Sequence, residues 1–273
     1  MDLKRKYAYK PSYMERLGFL EVALIIVIAA LAYDLLRQDT IAVVSIDGSI
    51  DLKEAFSIVE TLDFLEKDAS VKAVVFRINS PGGTAVAIHE IYLKLVKRSK
   101  PVISSVDALA ASGAYFIASN TDHIFAKQGS EVGGIGVLVE LPEAAKNKNL
   151  IASGPFKIER DDEIAFRNAE LLKLDFLNAV KDGRGERLKI ESAELADARI
   201  YTGFDARKLG MIDDIGGLDD AIAKAAELAK LKRFNKKFVF PTEAAKPLLV
   251  DFGDIGSNTT TAPAYYYLYI KSG

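Results

Sequence analysis

The sequence contains no cysteine and only two histidines among its 273 residues. Without cysteine, the chain has no disulfide framework, no thiolate nucleophile and no cysteine-based metal site. Two histidines also fall short of the ligand sets that zinc sites commonly use. A cysteine nucleophile and a zinc site of the usual kind are therefore not expected.

An excess of charge of one sign is also absent. The chain has 36 lysines and arginines against 38 aspartates and glutamates, which gives a formal net charge of −2. Proteins that bind nucleic acid through its phosphates usually carry a basic excess, so nucleic acid is not an expected partner. The content of hydrophobic residues, 49%, is typical of a globular protein with a substantial core.

Residues 17–36 form an almost wholly apolar stretch. At about 1.5 Å per residue, a helix of this length reaches the roughly 30 Å of a bilayer core. Five lysines and arginines in residues 1–16 oppose only two acidic residues, so the positive-inside rule places that end in the cytoplasm. We predict a cytoplasmic basic segment over 1–16, a transmembrane signal anchor over 17–36, and an extracytoplasmic location for the rest of a single-pass cell-membrane protein.

Two other interpretations of the apolar stretch stay open. Ala30-Leu31-Ala32 has the small-x-small pattern of a cleavage site, which would make the stretch a removable signal peptide. A buried core helix would also be apolar. N-terminal sequencing of membrane-extracted protein distinguishes a retained anchor from a cleaved one.

Beyond residue 39, apolar strand-like runs alternate with helical periodicity, and either Asp219 or Asp220 is expected to cap the last helix. This alternation of strands and helices predicts an α/β fold with a largely parallel sheet. The nearly continuous apolar strands fit a sheet covered on both faces. From residue 240 onward the pattern becomes irregular, which predicts a tail. The predicted strands are 40–48, 71–78, 101–107, 123–126 and 134–140, and the predicted helices are 52–67, 87–97, 108–120, 164–180 and 219–231.

Ser112 is the best-placed candidate nucleophile for hydrolysis of an amide or ester. With no cysteine, such a reaction needs a serine or threonine unless a metal-bound water attacks. Ser112 follows a predicted strand, has small neighbours in AASGA and lies near a helix start, where backbone N–H groups are free. A capping or packing serine is the alternative, although the absence of Glu or Gln three residues later gives no support to a capping box.

The base has three candidates. His89 and His123 lie in apolar patterns, where a structural or surface role competes with a role in a triad. A lysine serves as a base if burial lowers its pKa toward neutrality. Lys157 lies among Gly, Pro, Phe and Ile in GPFKI, although a surface lysine with a buried stem is the ordinary alternative.

The stretch INSPGGTA, residues 78–85, ends a predicted strand with a turn and places Gly82 and Gly83 before a helix. Such a turn is either a plain strand-to-helix connection or a loop whose bare backbone lies against another group.

Four motifs occur together in the order expected of the signal peptide peptidase A family, whose members are membrane-tethered Ser/Lys proteases with a ClpP/crotonase-like fold. The resemblance covers roughly residues 40–232 and implies a protease domain of repeated β-β-α units there, followed by a C-terminal extension or tail over 233–273. As an ordered set the motifs are specific. They are INSPGG, AASGAYFIASNTDHIFA, GGIGV and ARIYTGFDARKLGMIDDIGGLDDAI.

The resemblance assigns roles to four positions. Ser112 matches the nucleophile and Lys157 matches the general base. The backbone N–H groups of Gly83 and Gly113 look like the two donors of an oxyanion hole. The implied reaction is acyl transfer to Ser112, and it needs neither a cofactor nor a metal.

The sequence departs from the family pattern at Gly134. The family usually has a serine there, and that serine hydrogen-bonds the lysine amine. Ser130 and Ser153 are the candidates to replace it. An active protease is the favoured hypothesis because Ser112, Lys157 and the glycine loop are all present, whereas Gly134 motivates the alternative of a catalytically silent membrane scaffold.

The resemblance also implies partners. Expected substrates are hydrophobic peptides in or near the membrane, such as remnant signal peptides, and self-association into a homo-oligomeric ring is expected. Residues 17–36 would contact membrane lipid. A crotonase-type acyl-CoA enzyme is a further alternative, against which the anchor and Lys157 argue. The apolar C-terminal segment PAYYYLYIKSG would contact the membrane, lie in a substrate groove or stay exposed.

Overall fold

The computed structural model describes residues 18, 21–29, 31, 38–140, 161–241 and the backbone of 264–268. The chain separates into two compact units, residues 1–39 and residues 40–273. In the first unit, residues 21–29 are helical. Within the described part of the chain, no helix is both long and apolar enough to cross a membrane. The predicted anchor over 17–36 lies only partly inside that part, and it stays a prediction.

Strands and helices alternate through the second unit. The strands are β1 (Thr40–Asp47), β2 (Val71–Ser80), β3 (Gly82–Thr84), β4 (Val102–Ala111), β5 (His123–Ala126), β6 (Glu131–Gly133), β7 (Leu138–Glu140), β8 (Ile200–Thr202), β9 (Asp214–Ile215), β10 (Asn235–Val239) and β11 (Ala264–Leu268). The helices are α1 (Leu52–Lys67), α2 (Ala85–Leu95), α3 (Gly113–Ser119), α4 (Asp162–Arg184), α5 (Ser192–Leu195), α6 (Gly203–Lys208) and α7 (Leu218–Leu228), with a 3₁₀ turn at Gly185–Arg187.

The larger sheet is parallel along its main path. Its strand order is β10-β1-β2-β4-β5-β9, and every neighbouring pair along this path is parallel. β6 pairs in parallel with the last residues of β4, and β8 is antiparallel to β6. The α/β fold with a largely parallel sheet is therefore confirmed. A second, antiparallel sheet has the order β3-β11-β7.

Side chains of β1 alternate between two hydrophobic cores. Ile41 and Val43 belong to a core that buries one side of α7. Ala42, Val44 and Ile46 belong to a larger core on the other face, together with residues of α1, α2 and α3. Because successive side chains of a strand point to opposite faces, a strand buried on both sides needs apolar residues throughout. This confirms the prediction of a sheet covered on both faces.

Aspartate side chains accept backbone N–H groups at the starts of three helices. Asp51 accepts a hydrogen bond from the N–H of Glu54 at the start of α1, at 2.8 Å. At the start of α4, Asp161 accepts one from Ile164 at 2.9 Å. In the first turn of α7, Asp220 accepts the N–H of Gly217, the N-cap residue, at 2.8 Å, so one of the two predicted carboxylates lies at the start of the last helix but the cap residue itself is a glycine.

The helix predicted over residues 108–120 is wrong in its first half. β4 continues through Ala111, and α3 begins only at Gly113. Leu109 and Ala110 pair with Glu131 and Val132 of β6. This tertiary pairing overrides the helical propensity of the small residues, and it moves Ser112 from a helix to the junction between a strand and a helix.

Two further predictions of secondary structure need correction. In the predicted strand 134–140 only residues 138–140 are extended as a strand, while the preceding residues 131–133 form β6. The chain beyond residue 240 is not wholly irregular, because residues 264–268 form β11. β6 and β11 are short and pair with strands that are distant in sequence, so local periodicity does not reveal them.

Candidate active site

Ser112 lies at a sharp turn between β4 and α3. Its backbone has φ 52° and ψ −122°, a conformation that non-glycine residues rarely adopt and that costs roughly 1–3 kcal/mol. Its N–H donates to the carbonyl of Gly133 at 2.7 Å, and its carbonyl accepts the N–H of Phe116 at 2.9 Å. These two bonds hold the strained turn in place. A strained strand-to-helix turn is also how hydrolases with a nucleophile elbow present their serine.

The hydroxyl of Ser112 does not cap the helix that follows it. The residue is 2% exposed, and its side chain makes no capping hydrogen bond to α3. The capping alternative for this serine is therefore wrong. Every residue of α3 is buried, so Ser112 is fixed to a rigid element and its hydroxyl is not used to complete that element.

The glycine loop connects β2 to α2 through the short strand β3. The buried hydroxyl of Ser80 accepts the N–H of Gly82 at 3.1 Å. Ile50 donates its N–H to the Gly82 carbonyl at 2.8 Å, and its own carbonyl accepts the N–H of Thr84 at 3.1 Å. A Cβ on Gly83 would lie 1.8 Å from the carbonyl oxygen of Ile50. The bare backbone of the motif therefore lies against Ile50, and only glycine fits there.

Parallel pairing brings the glycine loop and the serine to one edge of the sheet. Ser80 of β2 pairs with Ala110 of β4. Gly83 follows three residues after Ser80, and Ser112 follows two residues after Ala110. α3 also packs against β3. Ser112, Gly83 and the adjoining Gly113 thus meet at the carboxyl edge of the parallel strands, where open α/β sheets bind their ligands.

The N–H groups of Gly83 and Gly113, the two donors that the family resemblance implies, lie in different backbone settings. The carbonyl of Gly82 and the N–H of Thr84 both form hydrogen bonds with Ile50. Because backbone groups alternate in direction along a strand, the N–H of Gly83 points to the opposite side. Gly113 is the first residue of α3, and the N–H groups of a first helical turn have no acceptor within the helix.

Gly134 lies beside the candidate nucleophile. Its φ is +70°, and a Cβ there would lie 3.3 Å from the backbone nitrogen of Ser112 and 2.9 Å from Cδ1 of Ile200. The position at which the family usually has a serine is thus adjacent to Ser112, but glycine supplies no hydroxyl there. This proximity could not be deduced from the local sequence, because it depends on the pairing of β4 with β6.

Ser130, one of the two proposed replacements, is engaged in its own turn. Its hydroxyl donates to the carbonyl of Asp107 at 2.6 Å and accepts the N–H of Lys127 at 3.1 Å. Ser153 and Lys157 lie outside the described residues, so their predicted roles stay predictions.

A triad role for His123 is wrong. His123 pairs with Ile103 near the start of β4, and nine residues separate Ile103 from Ser112. At about 3.3 Å per residue, these two positions are roughly 30 Å apart. The Nε2 atom of His123 instead lies 3.3 Å from the carboxylate of Asp214.

His89 contacts the elements around α3. Its ring packs against Phe116 with a centroid separation of 5.5 Å, and its Nε2 atom lies 3.1 Å from the carboxylate of Asp175 on α4. These contacts favour the structural alternative for this histidine, since they orient the imidazole toward α4.

A buried ion pair connects α4 to the segment before β9. The guanidinium of Arg184, whose side chain is fully buried, donates to both carboxylate oxygens of Asp213 at 2.8 and 2.9 Å. Asp213 also accepts the N–H of Ile124 at 2.8 Å. Burial alone would raise the pKa of Asp213, but the hydrogen bonds and positive charge of Arg184 outweigh burial and hold that pKa below its usual value.

Tyr115 joins the nucleophile's helix to the same segment. Its hydroxyl donates to the carbonyl of Met211 at 2.9 Å. Burial raises the pKa of this phenol, so the group stays protonated and keeps its role as a donor. The residue three positions after Ser112 is therefore a structural anchor for α3.

Comparison with known proteins gives independent information on this site. A model described as Peptidase family S49 matches residues 94–157 and 146–232, two overlapping segments that include Ser112 and Lys157. A protein of Synechocystis named as a candidate protease is 33% identical over 228 residues, which cover 77% of this chain and 81% of that protein.

Two longer relatives match over part of their length. Protease 4 of Haemophilus influenzae is 34% identical over 218 residues, which cover 71% of this chain and 35% of that protein. The chloroplastic serine protease SPPA of Arabidopsis thaliana is 30% identical over 239 residues, which cover 77% of this chain and 35% of that protein. The chain thus spans about a third of the length of both relatives.

Proposed function

Because this chain belongs to peptidase family S49, we propose that it is a membrane-tethered serine endopeptidase that cleaves hydrophobic peptides with a Ser112–Lys157 dyad. The resemblance to the signal peptide peptidase A family is confirmed by that membership and by the names of its relatives. One observation carries the proposal: Ser112 occupies a strained strand-to-helix turn beside the glycine loop, with its hydroxyl not used for capping.

The proposed mechanism is acyl transfer in two halves. Neutral Lys157 takes the proton of Ser112 as the serine oxygen attacks the peptide carbonyl. The N–H groups of Gly83 and Gly113 stabilise the negative charge that develops on the carbonyl oxygen. Lys157 then protonates the leaving amine, and water hydrolyses the acyl-enzyme. The orientation of the Gly83 N–H, away from Ile50, supports its role as a donor.

The wider setting is part of the same proposal. Residues 17–36 would anchor the chain, with residues 1–16 in the cytoplasm and the protease domain on the extracytoplasmic side. The domain would have the β-β-α units of the ClpP/crotonase-like superfamily and would assemble into a homo-oligomeric ring. Remnant signal peptides are the proposed substrates.

A catalytically silent scaffold is the second candidate. Gly134 favours it, because the position beside Ser112 that usually carries a lysine-orienting hydroxyl has no side chain. A crotonase-type acyl-CoA enzyme is a weaker alternative, and a CoA-binding assay tests it directly.

Fluorophosphonate labelling and cleavage of apolar peptides test the dyad in the full chain in detergent. We expect labelling of the wild type and of Ser105→Ala, but not of Ser112→Ala. Ser105 is a matched control, since it is a buried serine of β4, the strand that ends just before Ser112, and its hydroxyl has no hydrogen-bond partner among the described residues. Cleavage should be lost in both Ser112→Ala and Lys157→Ala. Cleavage that survives both changes would contradict the dyad, and a wild type inert toward varied apolar peptides would favour the scaffold.

A further inference from the structure

A cavity of about 590 Å³ lies between the 3₁₀ turn that follows α4 and helix α6. Its volume falls within the range of roughly 300–1,000 Å³ that small-molecule sites commonly have. We call it the basic cavity, because five of its lining side chains are cationic and one is acidic. The cations are Arg184, Arg187, Lys189, Arg207 and Lys208, and the acid is Asp213.

Contacts between the two walls fix the shape of the basic cavity. Arg184 donates its Nε–H to the carbonyl of Gly210 at 3.0 Å, and the N–H of Lys189 donates to the carbonyl of Leu209 at 2.9 Å. A Cβ on Gly210 would lie 1.7 Å from the carbonyl oxygen of Arg187, so the two backbones are in close contact there. The walls are therefore positioned before a ligand arrives, which lowers the cost of binding.

One carboxylate in the cavity serves two guanidinium groups. The buried side chain of Arg184 donates to both oxygens of Asp213, and Nη1 of Arg187 lies 3.2 Å from one of the same oxygens. The side chain of Arg187 is 43% exposed. Because a single negative charge cannot neutralise two positive ones, Arg187 keeps positive charge that a ligand can use.

The other three cations are also only partly neutralised. Arg207 lies 3.1 Å from Asp214, and Lys208 lies 3.4 Å from Asp205. Both pairs are exposed, and exposed pairs contribute little. Lys189 is exposed and forms no ion pair with any residue that the structure describes. Among the lining residues and their acidic partners, positive charges therefore outnumber negative ones by five to three.

An aromatic ring lies beside these cations. Phe204 lines the cavity and is 48% exposed, and Nζ of Lys208 lies 3.8 Å from the centroid of its ring. Ile212 and Ile215 line the same cavity. Small-molecule sites commonly combine such an apolar wall with a few polar groups that fix the orientation of the ligand. The cavity therefore suits a ligand that has an anionic end and an organic part.

We propose that the basic cavity binds a phosphate monoester, with its phosphoryl group on Arg187, Lys189 and Arg207 and its organic part against Phe204. A phosphate monoester carries a charge of about −1.5 to −2 near pH 7 and three acceptor oxygens, which matches the excess of two positive charges. Guanidinium groups bind phosphate oxygens in a favourable paired geometry. A carboxylate, with one negative charge, would neutralise only half of the excess.

Isothermal titration calorimetry of the full chain in a neutral detergent tests this site with four probes: adenosine 5′-monophosphate, adenosine, inorganic phosphate and acetate. We expect the nucleotide to bind at least about tenfold more tightly than adenosine, which lacks the charge, and than inorganic phosphate, which cannot cover the Phe204 ring. No binding of the nucleotide, or equal binding of the nucleotide and adenosine, would overturn the proposal. Acetate that binds as tightly as inorganic phosphate would overturn the preference for a phosphoryl group.

Two variants separate the roles of the cavity walls. Lys189→Gln should weaken the binding of both the nucleotide and inorganic phosphate about tenfold, since it removes a charged donor. Phe204→Ala should weaken only the nucleotide. Lys97→Gln is the matched control, because Lys97 is an exposed lysine that does not line the cavity and has no ion pair among the described residues.

Thermal unfolding checks that each variant is folded. Equal effects of Lys189→Gln and Lys97→Gln would show attraction by the overall charge alone and would overturn a specific site.

A phosphorylated lipid headgroup has the same chemistry as a soluble phosphate ester, and competition distinguishes the two sources. Displacement of the nucleotide by glycerol 3-phosphate supports a soluble ligand, whereas displacement only by phosphatidic acid in the detergent micelle supports a lipid headgroup. Displacement by neither would overturn the recognition of phosphate monoesters. None of these measurements uses peptide cleavage, so their outcome is independent of the peptidase proposal.

Discussion

Gly83 and Gly134 both lack a side chain beside Ser112, but for different physical reasons. At Gly83 the constraint is the backbone carbonyl of Ile50, which occupies the space of a Cβ. At Gly134 the constraint is mainly the backbone conformation, with φ +70°, since one of its two close neighbours is the movable end of Ile200. The contact with Ile50 therefore constrains the backbone at Gly83, whereas the positive φ constrains which side chains position 134 accepts.

Gly134→Ala is expected to destabilise the protein by more than the strain of a positive φ alone. Gly48→Ala is the matched control, since Gly48 has φ +74° and a Cβ there would meet no described atom within 4 Å. We expect Gly48→Ala to cost about 1 kcal/mol and Gly134→Ala at least about 1 kcal/mol more. Urea unfolding measures the loss in free energy of unfolding for each variant. Equal losses would contradict a steric contribution from the close neighbours of position 134. Gly134→Ser should likewise destabilise rather than simply restore the family's hydroxyl.

Gly83→Ala is expected to reduce activity strongly. The added Cβ would overlap a backbone atom, so β3 must move away from Ile50 and carry the Gly83 N–H with it. Loss of one oxyanion donor typically lowers kcat by about 10²–10³-fold. Gly217→Ala is the control, because a Cβ there has no neighbour within 4 Å among the described residues. Peptide cleavage rates at saturating substrate check the expectation, and an unchanged kcat for Gly83→Ala would exclude Gly83 as a donor.

At the scale of elements, the carboxylate of Asp213 connects α4, β5 and the segment before β9, and it pairs with the fully buried guanidinium of Arg184. Asp213→Asn would leave the charge of Arg184 buried and uncompensated, which typically costs about 3–5 kcal/mol. Asp197→Asn is the matched control, since the Asp197–Arg199 pair is exposed and should contribute less than about 1 kcal/mol. Thermal or urea unfolding compares the two variants, and similar losses would contradict a special role for the buried pair.

The same carboxylate predicts a pH dependence with a definite sign. The pKa of Asp213 is lower in the folded protein than in the unfolded chain. Its contribution is therefore fully present above the unfolded value of about 3.9 and is lost as the pH falls through the folded value. Urea unfolding between pH 3 and pH 7 should show a loss of stability at the acidic end that is smaller in Asp213→Asn. Identical pH profiles of stability for the wild type and Asp213→Asn would contradict the lowered pKa of Asp213.

Local sequence predicts those elements whose cause is local. The bounds of α1 agree with the predicted 52–67, because its apolar residues repeat at helical spacing and Asp51 caps its start. Residues 108–111, by contrast, read as helical but are held in β4 by β6, and β11 has strand structure only through its pairing with β3 and β7. Such pairing joins residues that are far apart in sequence, so it cannot be predicted from a local sequence pattern.

The features of the candidate site likewise fall into two groups: those that local sequence predicts and those that arise only from the assembled fold. Ser112 and Gly83 stand in short stretches with distinctive turn and small residues, and the order of motifs identifies them as a pair. The approach of Gly134 to the Ser112 nitrogen, and of Ile50 to Gly83, arises only when distant strands are assembled. The strained φ of Ser112 likewise follows from where β4 ends, which the sequence places incorrectly.

For the whole molecule, the N-terminal stretch is expected to determine membrane association. Residues 40–273 form a compact unit of their own, so a chain lacking residues 1–37 should fold and should stay in the soluble fraction. The full chain should sediment with membranes and be released by detergent but not by high salt, because the burial of an apolar helix does not depend on ionic strength. Far-UV circular dichroism checks the fold of the shortened chain. A full chain that is released by salt would contradict the anchor.

The border of the larger sheet at β10 has a consequence for solubility and assembly. β10 pairs with β1 along the path of this sheet and, among the residues that the structure describes, ends it on that side. An edge strand offers unpaired backbone groups to other chains, and charged side chains oppose such sheet extension. Lys236 and Lys237 are both exposed on β10, and burial of their ammonium groups between two stacked edges would be unfavourable. Copies of this protein should therefore associate through side-chain surfaces rather than by extending the sheet at this border, which would protect concentrated protein from fibrillar aggregation.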